Sequence, residues 1–434
     1  MIDAGLDLRE VLATRIDDRT TGFPAGADRS VGEVDAAGWS LHGDLVPPVV
    51  VLRASALEHN LAVMAAYCRA HGVELAPHGK TSMAPQLWAR QLEAGAVGVT
   101  AATPVQARTM RSVGVPHIML ADELADEGSI RWIAGELADP SFDLACWVDS
   151  GRGVETLRRG LRSAGAPRPL PVLIELGHER GRTGCRTRAE ALEVAALVGG
   201  AAELRLAGVA AYEGTVCDER SPDCLAAVDA FLGGVRALVS ELLARGDFDE
   251  AGDVVVTAGG SSFFDRVVGV LGGEWPADGV PVRVVLRSGC YLTHDHGWYE
   301  HMSPLSPEAD RFLPAFEAWG AVLSRPEPGV VVVGLGKRDV PSDLGMPVPL
   351  RIRGPGGDES NAGAIVVRRL MDQHAICDVA EATPAGAHGA GPGPRVGDLV
   401  SFGISHPCAA FDRRRVIPVV DDDARVVDAV VTFF

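Results

Sequence analysis

A chain of 434 residues is long enough for two domains, or for one large domain with additions. Its 47% hydrophobic content is that of a globular enzyme with ample core material, and a formal net charge of −18 excludes a nucleic-acid binder, which needs a basic face. No run approaches the roughly 20 apolar residues of a membrane helix, and Met1–Thr20 carries both signs of charge without the apolar centre of a signal peptide. The expectation is a cytoplasmic protein that acts on a small molecule, with neither nucleic acid nor membrane as partner.

In chain order, Pro47–Arg53 predicts a strand and Ser55–His71 a helix. Short apolar runs then follow at Val73–Ala76, Val97–Thr100, His117–Ala121, Leu144–Val148, Val172–Glu175, Gly208–Tyr212, Val254–Ala258 and Val284–Leu286. Amphipathic stretches such as Met83–Ala94, Pro104–Val113, Arg188–Val198 and Cys224–Arg245 lie between them. Runs of this length alternating with helices predict a parallel sheet buried on both faces. Eight such units fit a (β/α)8 barrel; an open doubly wound sheet is the rival, but no Gly-rich dinucleotide fingerprint follows the first strand. After Tyr291 the texture turns β-rich, with pieces at Val330–Leu335, Leu350–Ile352, Ala364–Val367, Leu399–Phe402 and Val426–Phe433, separated by Gly and Pro. Residues 384–394 read as a flexible surface loop. The expected organisation is an N-terminal segment, 1–48, packing with the β region; a barrel over 49–295; and a C-terminal β domain over 296–434. The eight cysteines contain no Cys-x-x-Cys pair, so in a reducing compartment most are expected to be buried small hydrophobes.

In such a barrel, chemistry collects at the C-terminal ends of the strands. After the first run comes Pro77-His78-Gly79-Lys80-Thr81. A lysine held at the end of a buried strand is driven toward the neutral amine, which forms a Schiff base with an aldehyde cofactor; alone, Lys80 reads equally well as a surface lysine. After the fifth run comes Gly177 to Gly184, with Arg180 and Arg182; after the sixth, Tyr212 and Glu213. The seventh and eighth are followed by Gly259-Gly260-Ser261-Ser262 and Arg287-Ser288-Gly289-Cys290-Tyr291. Glycines and serines there let backbone N–H groups approach an anion. By itself Gly-Gly-Ser-Ser is an ordinary turn, but with a lysine across the barrel mouth it suits a phosphate. An imine-forming lysine opposite a phosphate anchor is what pyridoxal 5′-phosphate needs. Further on, His406-Pro407-Cys408 would put imidazole and thiolate on one side of a strand, a soft pair that favours zinc, although His-x-Cys alone is a weak signal. His294-Asp295-His296, with His301, is a rival metal site that reads more readily as an exposed polar loop.

The motifs Pro-His-Gly-Lys-Thr, Gly-Arg-Thr-Gly, Ala-Tyr-Glu-Gly, Ala-Gly-Gly-Ser and Arg-Ser-Gly-Cys-Tyr occur in the order seen in the D-serine dehydratase / D-threonine aldolase family. This chain resembles those fold type III pyridoxal-phosphate enzymes, relatives of alanine racemase, from about Val49 to the C-terminus. It is most similar to the bacterial amino acid deaminase or D-serine deaminase-like proteins. Gly336-Lys337-Arg338-Asp339, Asp372-Gln373-His374 and Ile404–Cys408 match theirs, whereas Ser82 and Met83 stand where the family often has His-Lys. The resemblance implies that Lys80 is the Schiff-base lysine and Cα base, and that His78 lies in the cofactor pocket. It places Arg182, or Arg180 in its stead, at the cofactor's phenolic oxygen, and Tyr212 near the ring. Gly259, Gly260, Ser261, Gly289 and Tyr291 would hold the phosphate, and His406 and Cys408 zinc; His374, beside Asp372, reads as a contact of the substrate or of a ligand, and equally well as a structural histidine. The resemblance also implies a homodimer.

The expected reaction is elimination of water from a β-hydroxy D-amino acid, with zinc acting on the hydroxyl, followed by hydrolysis of the resulting imine to a 2-oxo acid and ammonia. The alternatives are retro-aldol cleavage to glycine and an aldehyde, racemisation, and a pyridoxal-phosphate-binding protein without turnover.

Overall fold

Eight short strands with no polar face can hide their backbone and both surfaces by curling into a closed parallel sheet under helices. The computed structural model, which describes residues 5–248, 252–276, 280–305, 311–380 and 393–434, has this form. The barrel strands are Glu74–Leu75, Val99–Ala101, His117–Glu123, Asp143–Val148, Leu170–Leu176, Leu204–Ala211, Val254–Ala258 and Val282–Leu286. They pair in parallel around the ring, the first against the eighth and so on back to the second. The ring closes where the Val97 N–H donates to Leu75 O at 2.8 Å and the Thr100 N–H to Pro77 O at 2.9 Å. Trp147, Leu173, Ala207 and Ala210 fill its interior. Side-chain caps start the outer helices. Thr103, Ser150 and Ser221 each accept an N–H of the first turn, and Thr187 with Glu190 makes a reciprocal capping box.

The C-terminal region is an antiparallel sheet in the order Glu359–Asn361, Val348–Arg353, Leu399–Gly403, Phe316–Glu327, Val330–Val333, Ala375–Val379, Ile365–Leu370. Val49–Arg53 belongs to this sheet and not to the barrel. It runs antiparallel to Phe316–Trp319 and beside Val416–Val420, which pairs with Val426–Val431. Its Val-Val-Val-Leu run is buried on both faces, as a central strand requires. Residues 39–41 also meet this region: the Leu41 N–H donates to Ala424 O and the Val426 N–H to Trp39 O, both at 2.8 Å. The predicted loop 384–394 lies, except for its last two residues, outside the described residues. Cys68, Cys146, Cys185 and Cys377 are buried free thiols, as their type suggests. Cys217 and Cys224, by contrast, form a disulfide across the loop that leads into the helix Pro222–Arg245.

The two regions are strapped together just after the lysine motif. Gln86, buried at the start of the helix Pro85–Glu93, donates to Ala429 O at 3.1 Å and accepts the Val431 N–H at 3.2 Å. Beside it the Phe433 N–H donates to Met83 O at 2.9 Å. Gln86→Ala strands two buried backbone groups, and leaving such groups unpaired costs on the order of 2 kcal/mol. The expected outcome is a lower urea midpoint at unchanged slope, measured by equilibrium denaturation.

Candidate active site

All eight strand ends contribute to one cavity of about 220 Å³. Its wall holds His78 and Lys80 from the first, Ala102 from the second, Ala121 and Asp122 from the third, and Trp147 from the fourth. The rest is Glu175, Arg182 and Thr183 from the fifth, Tyr212 from the sixth, Gly259 and Gly260 from the seventh, and Arg287 from the eighth. Lys80 sits in the tight turn Gly79–Thr81, which His78 enters in extended conformation. Gly79 is required there, because a Cβ would meet Met110 Cε at 2.6 Å and Val99 Cγ1 at 2.7 Å. Burial, followed by the charges of Lys80 and Arg287, holds the His78 imidazole well below its usual pKa, and its Nδ1 is a buried atom without a hydrogen-bond partner.

Of the two candidate arginines, Arg182 lines the cavity, with its guanidinium 4.5 Å from the centroid of the Tyr212 ring. Arg180, with φ at 63°, is not among the lining residues, although both arginines are exposed to solvent. Burial, then Glu213, pushes the Tyr212 hydroxyl up to about 12, so that face stays neutral. Sequence reasoning did not single out Arg287 from its motif. It is 6% exposed, donates to Thr257 Oγ1 and Ala211 O at 2.7 Å each, and faces Trp147. A buried guanidinium at a strand end is the signal that would have found it.

The predicted phosphate cradle is only partly as expected. The Gly259 and Gly260 N–H groups donate to the wholly buried Glu213 carboxylate, at 3.0 and 2.7 Å. A carboxylate next to Tyr212 thus takes the two donors that the sequence assigned to an anion. Ser261 and Gly289 are not among the residues that line the cavity. The Ser288 hydroxyl donates to Gly259 O and Gly260 O, and the Cys290 N–H to Ser261 Oγ, so the seventh and eighth loops are laced together. The Tyr291 side chain does not join them. It points into the helix layer, where its hydroxyl accepts from Gln91 Nε2 at 3.1 Å.

His406 and Cys408 are brought together, but not by strand alternation. The strand Leu399–Gly403 has ended, and the turn Pro407–Ala409 curls Cys408 back beneath an extended His406. Cys408 Sγ lies 3.3 Å from Thr81 Oγ1, the residue after Lys80, and 3.3 Å from Cys290 Sγ. The hydrogen bond with Cys290 leads in holding the Cys408 thiol well below its ordinary pKa; burial opposes it, and His406 adds to it. Burial works against the His406 imidazolium, but Cys408 and Asp343 outweigh it and push the ring up to about 9. Among the described residues no three His, Cys, Asp or Glu side chains form a metal-holding group. An imidazole beside a thiolate still suits a soft ion such as zinc in its donor chemistry. The rival His294-Asp295-His296 does not converge. The buried His294, at φ 44°, pairs with Glu300 at 3.1 Å, and the half-buried His296 packs against Gly403. The positive φ breaks the alternation on which that reading depended. His374 stands exposed in the hairpin between Ile365–Leu370 and Ala375–Val379, outside the cavity wall.

Known proteins resemble this arrangement. Residues 52–248 match the alanine racemase N-terminal domain, and residues 315–420 match the serine dehydratase domain. The chain belongs to the fold type III, alanine racemase-like family. The family is pyridoxal-phosphate-dependent. D-Threonine aldolase of an Arthrobacter species is 26% identical over 86% of this chain and 89% of its own length. D-threo-3-Hydroxyaspartate dehydratase of Delftia sp. HT23 is 27% identical over 42% of this chain and 47% of its own. The crystal structure of D-threonine aldolase from Filomicrobium marinum superposes with a TM-score of 0.74 at 26% identity, covering 91% of this chain and 97% of that one. These relatives are lyases acting on D-amino acids. The residues fit the family's cofactor: an amine, two guanidinium groups, a flat Tyr212 face and an unpartnered His78 nitrogen surround the cavity. Gly260 leaves it open, since a Cβ there would lie 2.9 Å from Tyr212 Cε2.

Behind the cavity, both Glu123 carboxyl oxygens are buried without partners. Burial, then Glu175, pushes Glu123 from its ordinary 4.5 up to about 9. A raised carboxyl pKa favours the fold below 4.5, and that contribution is lost as pH rises toward 9. Glu123→Gln removes the dependence. Thermal melts should therefore show the variant gaining on wild type between pH 6 and 9, and parallel curves would refute the protonated state.

Proposed function

We propose that this protein eliminates water from a β-hydroxy D-amino acid, the released enamine tautomerising to an imine that water hydrolyses to a 2-oxo acid and ammonia, with pyridoxal phosphate on Lys80 and zinc on His406 and Cys408. The observation that carries the reading is the 3.3 Å contact between Cys408 Sγ and Thr81 Oγ1. It sets an imidazole–thiolate pair next to the residue that follows the cavity lysine. Bound pyridoxal phosphate supplies an electron sink for charge developing at the substrate Cα. Lys80 binds the cofactor, then takes the Cα proton on its amine. Arg182 and Arg287 hold anionic charge in the cavity, and Tyr212 flanks the ring under the Arg182 guanidinium. His406 and Cys408 would hold zinc, whose Lewis acidity eases departure of a hydroxyl from the β-carbon. Ser261 and Gly289 would help to anchor the phosphate. Cleavage of D-threonine or a relative to glycine and an aldehyde is the second reading, favoured by the aldolases among the relatives that match over most of this chain.

Borohydride reduction of the holoenzyme should fix the cofactor to the peptide containing Lys80, and Lys80→Ala should abolish turnover. A different labelled peptide would overturn the assignment. Chelation should stop ammonia release from D-serine, D-threonine and 3-hydroxyaspartate while the bound cofactor's absorbance persists. Glycine and aldehyde as the main products would establish the second reading, and full activity without metal would remove the zinc role.

A further inference from the structure

The His406–Cys408 pair has a neighbour that the proposed reaction leaves unused. Asp343 lies in the loop between the strands Val330–Val333 and Val348–Arg353, and its Oδ2 is 2.6 Å from His406 Nδ1. Two residues on, the same loop is pinned to the residue before His406, where the Ser405 hydroxyl donates to Gly345 O at 2.6 Å. Asp343 is half-exposed, and among the described residues His406 is its sole hydrogen-bond or ion-pair partner. An ion pair so open to water contributes little to folding, typically under about 1 kcal/mol. What the contact does fix is the ring. With Nδ1–H given to the carboxylate, the tautomer and rotation of the imidazole are set, and the Nε2 lone pair is the one left for a ligand. Cys408, the other member, is held from its own side by Thr81 and Cys290.

We propose that Asp343 is a positioning residue of the metal site: by accepting the Nδ1–H of His406 it presents Nε2 to the ion that Cys408 shares. This rests on the proposed reading of His406 and Cys408 as zinc ligands. The contact predicts a graded response, because an asparagine keeps an acceptor oxygen without the charge and an alanine keeps neither. Purified holoenzyme would be stripped of metal and titrated with zinc against a chelating dye, and separately with cobalt(II) as a spectroscopic stand-in. Asp343→Ala should bind zinc about ten- to a hundred-fold more weakly than wild type, the range found when such an outer partner is removed. Asp343→Asn should fall between the two. The cobalt(II) visible bands should shift in the alanine variant, while metal-free melting temperature and cofactor absorbance stay as in wild type. Equal zinc affinity and identical cobalt spectra in all three would overturn the positioning role. His406→Ala and Cys408→Ala serve as the control. If they bind zinc as wild type does, it is the metal-pair reading that has failed, and the role of Asp343 falls with it. If they lose zinc while the Asp343 variants keep it, the role of Asp343 alone is wrong.

Discussion

The contact on which the rest of this structure depends is that between two tight turns, Gly79–Thr81 from the barrel and Pro407–Ala409 from the C-terminal region. Thr81 Oγ1 and Cys408 Sγ meet there at 3.3 Å. One turn carries the lysine and the other the thiolate, so their separation is a property of how the two regions dock. Neither turn can relax far. Gly289 packs so closely under the lysine turn that a Cβ would meet the His78 backbone oxygen at 2.5 Å, and Gly79 is enclosed by Met110, Val99 and Trp88. The strap of Gln86 and Met83 onto the final strand holds the same docking from the other side. Close packing of this kind transmits displacement instead of absorbing it, so the geometry of the site is set by backbone contacts some distance from the chemistry.

Electrostatics in the cavity run against the charge of the whole. A chain with a formal charge of −18 gathers Lys80, Arg182 and Arg287 around one small space. Carboxylates are also present, and each has a different task. Glu213 ties down the Gly259 and Gly260 N–H groups, Asp122 and Glu175 stand in the wall itself, and Glu123 lies against Glu175 with both carboxyl oxygens buried. Burial first, and the neighbouring Glu175 second, push the Glu123 carboxyl toward its neutral form. The cavity therefore sets three cations against the Asp122 and Glu175 carboxyl groups of the same wall.

Much of the fold could be read from the residues, for a definite reason. Every one of the eight apolar runs became a barrel strand, because a strand buried on both faces has to be continuously apolar and has little other use for such a run. The strands that went unseen are those whose burial comes from a second layer. Phe316–Glu327 is the spine of the C-terminal sheet, yet Phe-Glu-Ala-Trp-Gly-Ala carries neither strict alternation nor a β-branched run. Val416–Val420 has such a run, but nothing local told it from the tail of a hairpin. Val49–Arg53 was visible as a strand, but its sheet was not, since its partners lie several hundred residues away.

For the site, the sequence by itself determined which chemical groups stand at the strand ends: Lys80 after the first, Arg182 and Tyr212 after the fifth and sixth, and a Gly/Ser turn after the seventh. That follows from strand periodicity and barrel topology, which fix where each short loop must emerge. It also determined that a histidine and a cysteine lie two residues apart. Only the tertiary structure decided where their side chains point. It turned Arg182 inward and Arg180 out, gave the glycine N–H groups to Glu213, and sent the Tyr291 hydroxyl to Gln91. It also set Asp343 against His406. Each of these is a competition between partners distant in sequence, resolved by distance and burial, and no local pattern of residues encodes its outcome.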